Sequence, residues 1–217
     1  RRQRQMCIRD RDISCLQLGQ KAVKQAMRIR TALLEKGIPL HVDSPTNQLF
    51  PIFSDEQVEA LFDENTRLFF GETINNPALT VFDISRYAAI AHRHGVPLVV
   101  DNTFATPLLC RPFEFGADIV THSTSKYMDG HANVLGGVVI DSGKFDWEAS
   151  GKFPELTTPD ESYHGVVYTK QFGRAAYVTK ARVQLLRDFG CTMAPIAAYL
   201  LNLGLESMPL RVRKHSE

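Results

Sequence analysis

Three short apolar runs constrain this chain most: Val96-Pro97-Leu98-Val99-Val100, Ala117-Asp118-Ile119-Val120 and Gly136-Gly137-Val138-Val139-Ile140. Each has the length of a strand and is apolar without alternation. A strand that is apolar on both sides must be covered on both sides, and a sheet achieves this by carrying helices on its two faces. Helical segments lie between and around the runs. Asp83 can cap a helix over 84–94 closed by Gly95, residues 172–189 read as a helix ending at Gly190, and 194–207 as a helix opened by Pro195. The expected fold class is therefore α/β, a mainly parallel sheet flanked by helices.

Upstream the texture differs. Leu68-Phe69-Phe70 reads as one more buried strand, stopped by Gly71. Residues 19–36 show apolar positions at three-to-four spacing (Val23, Ala26, Met27, Leu33), then a C-cap glycine, Gly37, and Pro39, which forbids continuation. Two short strands are expected at Leu40–Val42 and Leu49–Phe53, followed by a capping box, Ser54 to Gln57, that opens a helix to about Phe62. Residues 1–18 carry five arginines (Arg1, Arg2, Arg4, Arg9, Arg11) and no initiator Met at the start; they read as an unstructured or foreign terminus. Leu210–Glu217 reads as helix cut mid-element. The expected organisation is 1–18 terminus, 19–62 a small α/β segment of separate origin, and 63–217 a partial large domain, incomplete at both ends.

Composition excludes several function classes. Hydrophobic residues make up 44% and charged residues 23%, as in ordinary globular chains. A net charge of +1 argues against nucleic acid as a partner. No apolar run approaches the roughly 18–20 residues of a membrane span, so no membrane partner is expected. Cys7, Cys15, Cys110 and Cys191 form no CxxC pair and read as reduced thiols of a cytoplasmic protein. His92 and His94 sit two apart on a helix and face different ways, and no HExxH pattern occurs, so no metal is expected. No GxGxxG follows a strand, which removes a nicotinamide site.

In open α/β sheets, ligands bind beyond the carboxyl ends of the strands. Two such ends carry chemistry: Asp101, and Ser123-Thr124-Ser125-Lys126. Alone, an Asp after a strand is most often a cap, and a Lys in a loop a solvated charge. Together, in this order, they match the needs of pyridoxal phosphate. That cofactor takes a lysine to form an imine, a carboxylate to keep its ring nitrogen protonated, and hydroxyl and N–H groups for its phosphate. Lys126, Asp101, and Ser123 with Ser125 would fill those roles. Apolar surroundings of Lys126 would favour the free amine over the charged form.

The text around these residues resembles the Cys/Met-metabolism family of pyridoxal-phosphate enzymes, within it the sulfhydrylases acting on O-acetylhomoserine. The matching stretches are GETINNPALTVFDI at 71–84, AHRHGVPLVVDNTFATPLLCRPFEFGADIVTHSTSKYMDGHANVLGGVVIDSGKFDW at 91–147, YHGVVY at 163–168, LRDFG at 186–190 and LRVRKHSE at 210–217. The resemblance implies a fold-type-I large domain, pyridoxal 5'-phosphate attached through Lys126, Asp101 on the ring nitrogen, and Ser123 and Ser125 on the phosphate. It also implies Asn76 at the ring hydroxyl and Thr103 beside the ring. The implied reaction is γ-replacement: Lys126 shuttles protons, acetate leaves, and sulfide or a thiol adds to give homocysteine or methionine. Methionine γ-lyases and cystathionine γ-synthases share these motifs and remain the alternative, as does a non-catalytic α/β fragment. The implied partners are a small amino-acid substrate and sulfide or a thiol, in a homo-oligomer (dimer or tetramer).

Some features depart from the family. Relatives commonly read GGHG where this chain has Asp129-Gly130-His131-Ala132, which would reshape the loop behind Lys126. A glycine-containing phosphate loop and a ring-stacking Tyr are expected upstream of residue 68 and have no counterpart in the text. Residues 21–61 instead resemble the C-terminal domain of a threonine-aldolase-type pyridoxal enzyme. That likeness suggests a chimera joined near residue 62, with no sulfhydrylase counterpart to 20–53.

Overall fold

A computed structural model describes residues 13–76 and 78–217, with side chains from residue 16 onward. The arginines of the first eleven positions, Cys7 and Pro77 lie outside the described residues, as does the Cys15 side chain. The chain divides into two units, one ending at Leu61 and one spanning Phe62–Glu217.

In the first unit, α1 spans Ile13–Glu35, starting earlier than its apolar periodicity suggests. It ends as expected: Gly37 takes φ +72° and the Ile38 N–H bonds back to the Leu33 carbonyl at 2.9 Å. Arg30 reaches forward from α1 to Asp43, with Nη2 at 2.6 Å. The two strands expected over 40–53 reduce to one antiparallel bridge, Leu40 to Pro51. Pro39, Pro45 and Pro51 deny the segment the N–H donors a longer ladder needs. α2 (Asp55–Glu59) opens on the capping box: Ser54 Oγ accepts from the Gln57 N–H, and the Gln57 side chain accepts from the Ser54 N–H.

The second unit is built on a four-stranded sheet, β1 (Phe69–Glu72), β2 (Leu98–Asp101), β3 (Ile119–Ser123) and β4 (Gly137–Asp141), in that spatial order. β1, β2 and β3 are parallel and β4 runs antiparallel to β3. The apolar runs divide between two faces, as side chains alternate along a strand. Leu98, Val100 and Val120 pack with Ile84, Ala88 and Ala91 of α3 (Ile84–Arg93) on one side. Val99 and Ile119 pack with Trp147, Leu156, Tyr168 and Ala176 on the other. Asp83 caps α3, its carboxylate accepting from the Arg86 N–H.

Three sequence expectations are corrected here. Gly71 does not stop β1, which runs through it to Glu72; the glycine is needed because the Phe82 ring occupies the space a Cβ would take. The helix expected over 172–189 is broken at Gly173, whose φ +51°, ψ −120° geometry only glycine adopts cheaply. It is then distorted into a π-helical turn at Ala181–Leu186. The last helix, α4 (Pro195–Ser216), runs well past 207 and straight through Pro209. Proline removes one backbone donor from such a helix. The bond lost is the one to the Leu205 carbonyl; one turn earlier the Gly204 carbonyl accepts from Ser207 Oγ at 3.2 Å and from Arg211 Nη2 at 2.8 Å. α4 covers the loop after β3 through Met128, Met208 and Val212.

Candidate active site

The carboxyl ends of β1, β2 and β3 come level because of the sheet register, which aligns Glu72 with Asp101 and Asp101 with Thr121. Beyond those ends lies a cavity of about 410 Å³ lined by Glu72, Asn76, Asp101, Thr103, Ser123 and Lys126, with Ile74, Phe104 and Tyr127 as its less polar wall. Five of the six site residues singled out in the sequence therefore share one space.

Thr103 organises the floor. Its N–H donates to Asp101 Oδ1 at 2.8 Å, and its Oγ1 accepts from the Ser123 N–H at 2.7 Å. This tie sets the carboxylate at the end of β2 against the end of β3. Below it, buried Asn102 accepts from Thr73 Oγ1 at 2.8 Å and donates to the Cys110 carbonyl at 2.9 Å, bracing the crossover loop. Lys126 sits on a tight turn, its N–H on the Ser123 carbonyl at 3.2 Å and its own carbonyl accepting from the Gly130 N–H at 2.8 Å. Glu72 Oε2 accepts from the Asn76 N–H at 2.9 Å and so fixes the turn that presents Asn76.

Ser125 stands apart. Its Oγ accepts from the Gly136 N–H at 2.9 Å and donates to the Gly136 carbonyl at 3.3 Å, closing the 125–136 loop away from the cavity. Lys126 is exposed, so the apolar surroundings expected for it are not found. Two residues were missed in the sequence. Glu72 ends a strand just as Asp101 does, and the same rule would have found it. His122 is buried beneath the site; burial pushes its imidazole below the usual value, while nearby Asp101 pulls the other way. Its Nδ1 has no hydrogen-bond partner.

The donor set suits a flat heterocycle carrying an aldehyde and a phosphate. It supplies one primary amine, a carboxylate held in place by a backbone N–H, and hydroxyl and amide groups around them. Among the described residues, no cluster of three or more His, Cys, Asp or Glu could hold a metal.

Residues 39–217 match the family model described as Cys/Met metabolism PLP-dependent enzyme, a match that begins within the 21–61 stretch. Homocysteine/cysteine synthase of Saccharomyces cerevisiae is 47% identical over 164 residues, covering 75% of this chain and 37% of the relative. O-acetyl-L-homoserine sulfhydrylase of Corynebacterium glutamicum is 46% identical over 166 residues, covering 75% and 38%. A crystal structure of an O-acetylhomoserine (thiol)-lyase from Campylobacter jejuni, containing N'-pyridoxyl-lysine-5'-monophosphate, superposes with a TM-score of 0.68 at 35% identity over 74% of this chain and 39% of its own. The chain thus spans less than two fifths of the length of each of these proteins.

Proposed function

The chain belongs to the Cys/Met metabolism PLP-dependent enzyme family, and on that premise we propose that it supplies the lysine-bearing part of a pyridoxal-phosphate site for γ-replacement on O-acetylhomoserine. Its architecture is that of the fold-type-I enzymes. The net reaction joins sulfide or a thiol to the amino-acid skeleton as acetate leaves, giving homocysteine or methionine. The names and identities of the relatives support this substrate class.

The observation that carries the proposal is the shared cavity of Asp101 and Lys126. When bound, the cofactor supplies an electron sink for negative charge developing beside the substrate amino group. Asp101, fixed by the Thr103 N–H, would hold a proton on the ring nitrogen. Lys126 would hold the cofactor through its amine, and that amine is the group placed to move protons within the site. Thr103 would flank the ring, Asn76 would serve the ring hydroxyl, and Ser123 would serve the phosphate. Ser125 can join Ser123 only by releasing the Gly136 carbonyl, to which its single O–H now donates. The domain reading extends from this: 63–217 forms part of the cofactor-binding large domain, and of the upstream segment 19–62 the residues before 39, which the family match leaves out, are of separate origin.

The same reading places the working protein in the cytoplasm as a homo-oligomer. Large apolar side chains left exposed support association, among them Leu135, Val81 and Phe189. No helix among the described residues is long and apolar enough to cross a membrane.

Borohydride reduction in the presence of pyridoxal phosphate, followed by peptide mapping, tests the site. The expected label is on Lys126 and is lost in Lys126→Ala. Label confined to other lysines overturns the assignment.

A further inference from the structure

The LRVRKHSE stretch ends the family resemblance without an assigned role, yet its first arginine reaches the lysine turn. Arg211, on α4, donates from Nη1 to the Tyr127 carbonyl at 2.8 Å and from Nη2 to the Met128 carbonyl at 3.5 Å. The same guanidinium is held on its own helix by the Gly204 carbonyl at 2.8 Å and by Ser207 Oγ, which accepts from Nε at 3.0 Å. Two glycines make room for this clamp. A Cβ on Gly130 would overlap the guanidinium carbon, and one on Gly204 would overlap the Met128 and Asp129 carbonyl oxygens.

The carbonyls that Arg211 grips belong to the two residues after Lys126. The other side of the turn is fixed to β3, through the Lys126 N–H on Ser123 and the Asp129 N–H on Thr124 at 3.0 Å. The turn is therefore pinned between the sheet and the helix, and little but the Lys126 side chain is left to move. An arginine suits this task because its planar fork presents several donors in fixed directions, whereas a lysine offers one compact charge. Simple apolar docking of α4 is already provided by Met208 and Val212 on Met128, so the polar clamp adds orientation.

We propose that Arg211 is a positioning residue: by gripping the Tyr127 and Met128 carbonyls it holds the Lys126 turn in the orientation from which the amine reaches the cofactor. This rests on Lys126 being the cofactor lysine. Misplacement by about an ångström commonly costs up to about a hundredfold in such reactions.

The test compares the unsubstituted chain with Arg211→Met, Arg211→Lys and Met208→Ala, each at matched folded fraction. Three quantities are read: the rate of borohydride-trapped pyridoxal label on Lys126, the pH midpoint of the bound pyridoxal absorbance, and amide hydrogen exchange at Lys126 and Gly130 without cofactor. Arg211→Met is expected to slow labelling by about tenfold or more, move the pH midpoint and speed exchange at both amides. Arg211→Lys should recover part of each effect. Met208→Ala, which loosens the helix without touching the clamp, should lower the unfolding midpoint and leave all three readouts within about twofold. Equal labelling of Arg211→Met and the unsubstituted chain overturns the proposal, as does an equal loss in Met208→Ala. If Arg211→Met does not fold, unchanged readouts in Arg211→Lys overturn it. Absence of label on Lys126 in the unsubstituted chain instead overturns the cofactor reading, and this proposal with it.

Discussion

Replacing Asp160 by asparagine should remove about 2 kcal/mol of stability at pH 7, and the loss should fade in acid. The Asp160 carboxylate lies at the centre of a compact network. Lys180 Nζ donates to Oδ2 at 2.8 Å and Gln184 Nε2 to the same oxygen at 3.2 Å, while the Ser162 hydroxyl and N–H both donate to Oδ1. The pair is well shielded, with side-chain exposures of 11% for Asp160 and 20% for Lys180. Lys180, with help from Ser162, holds the carboxyl down at about 2, against an ordinary 3.8. Each unit is worth about 1.36 kcal/mol, so the depression corresponds to roughly 2 kcal/mol. Because the folded value is the lower one, this stability is present in full above the unfolded value near 4 and is lost as pH falls through about 2. At pH 3 roughly half remains. The assay is urea unfolding followed by fluorescence of the single tryptophan, Trp147, which is buried and stacked on Tyr177. Asp160→Asn should lower the midpoint at pH 7 without changing the denaturant slope, and its deficit should shrink to about 1 kcal/mol at pH 3. A deficit below about 0.5 kcal/mol at pH 7, or one equal at the two pH values, refutes the reasoning.

Two further substitutions probe the loop behind Lys126. Ala132 sits at φ +56°, where a non-glycine residue costs about 1–2 kcal/mol, partly offset by the extra entropy glycine loses on folding. Ala132→Gly should therefore raise the urea midpoint by a stability gain of about 0.5–1 kcal/mol, and a lower midpoint would contradict the observed backbone. Gly204→Ala must push α4 off the Met128 and Asp129 carbonyls, at a cost of about 1–3 kcal/mol. A neutral result in the same assay would show that the helix does not lie this close to the loop.

Local chemistry in the chain states much of this architecture directly. The run Val96–Val100 ending at Asp101, the Ser54 capping box and the Asp83 cap can each be read from a few neighbouring residues, because caps and both-face burial are short-range demands on residue type. Strand direction is another matter. Gly137–Asp141 is apolar enough for either orientation, and only its pairing with β3 made it antiparallel. Helix length is likewise a tertiary outcome: the sequence reads a helix over 194–207, yet α4 runs through Pro209 to Ser216, with Met208 and Val212 packed on Met128.

The candidate site divides the same way. Residue types and strand ends in the sequence marked Asp101, Ser123 and Lys126, since a carboxylate and an amine after apolar strands need a purpose, and the family resemblance added Asn76 and Thr103. Tertiary structure alone decided that Glu72 faces Asp101 across the register, that His122 lies buried beneath it, and that Ser125 turns toward Gly136. It also carried Arg211 to the Lys126 turn. Those outcomes depend on contacts between residues tens of positions apart, set by how strands align and helices dock, and no local pattern of residue types encodes that alignment.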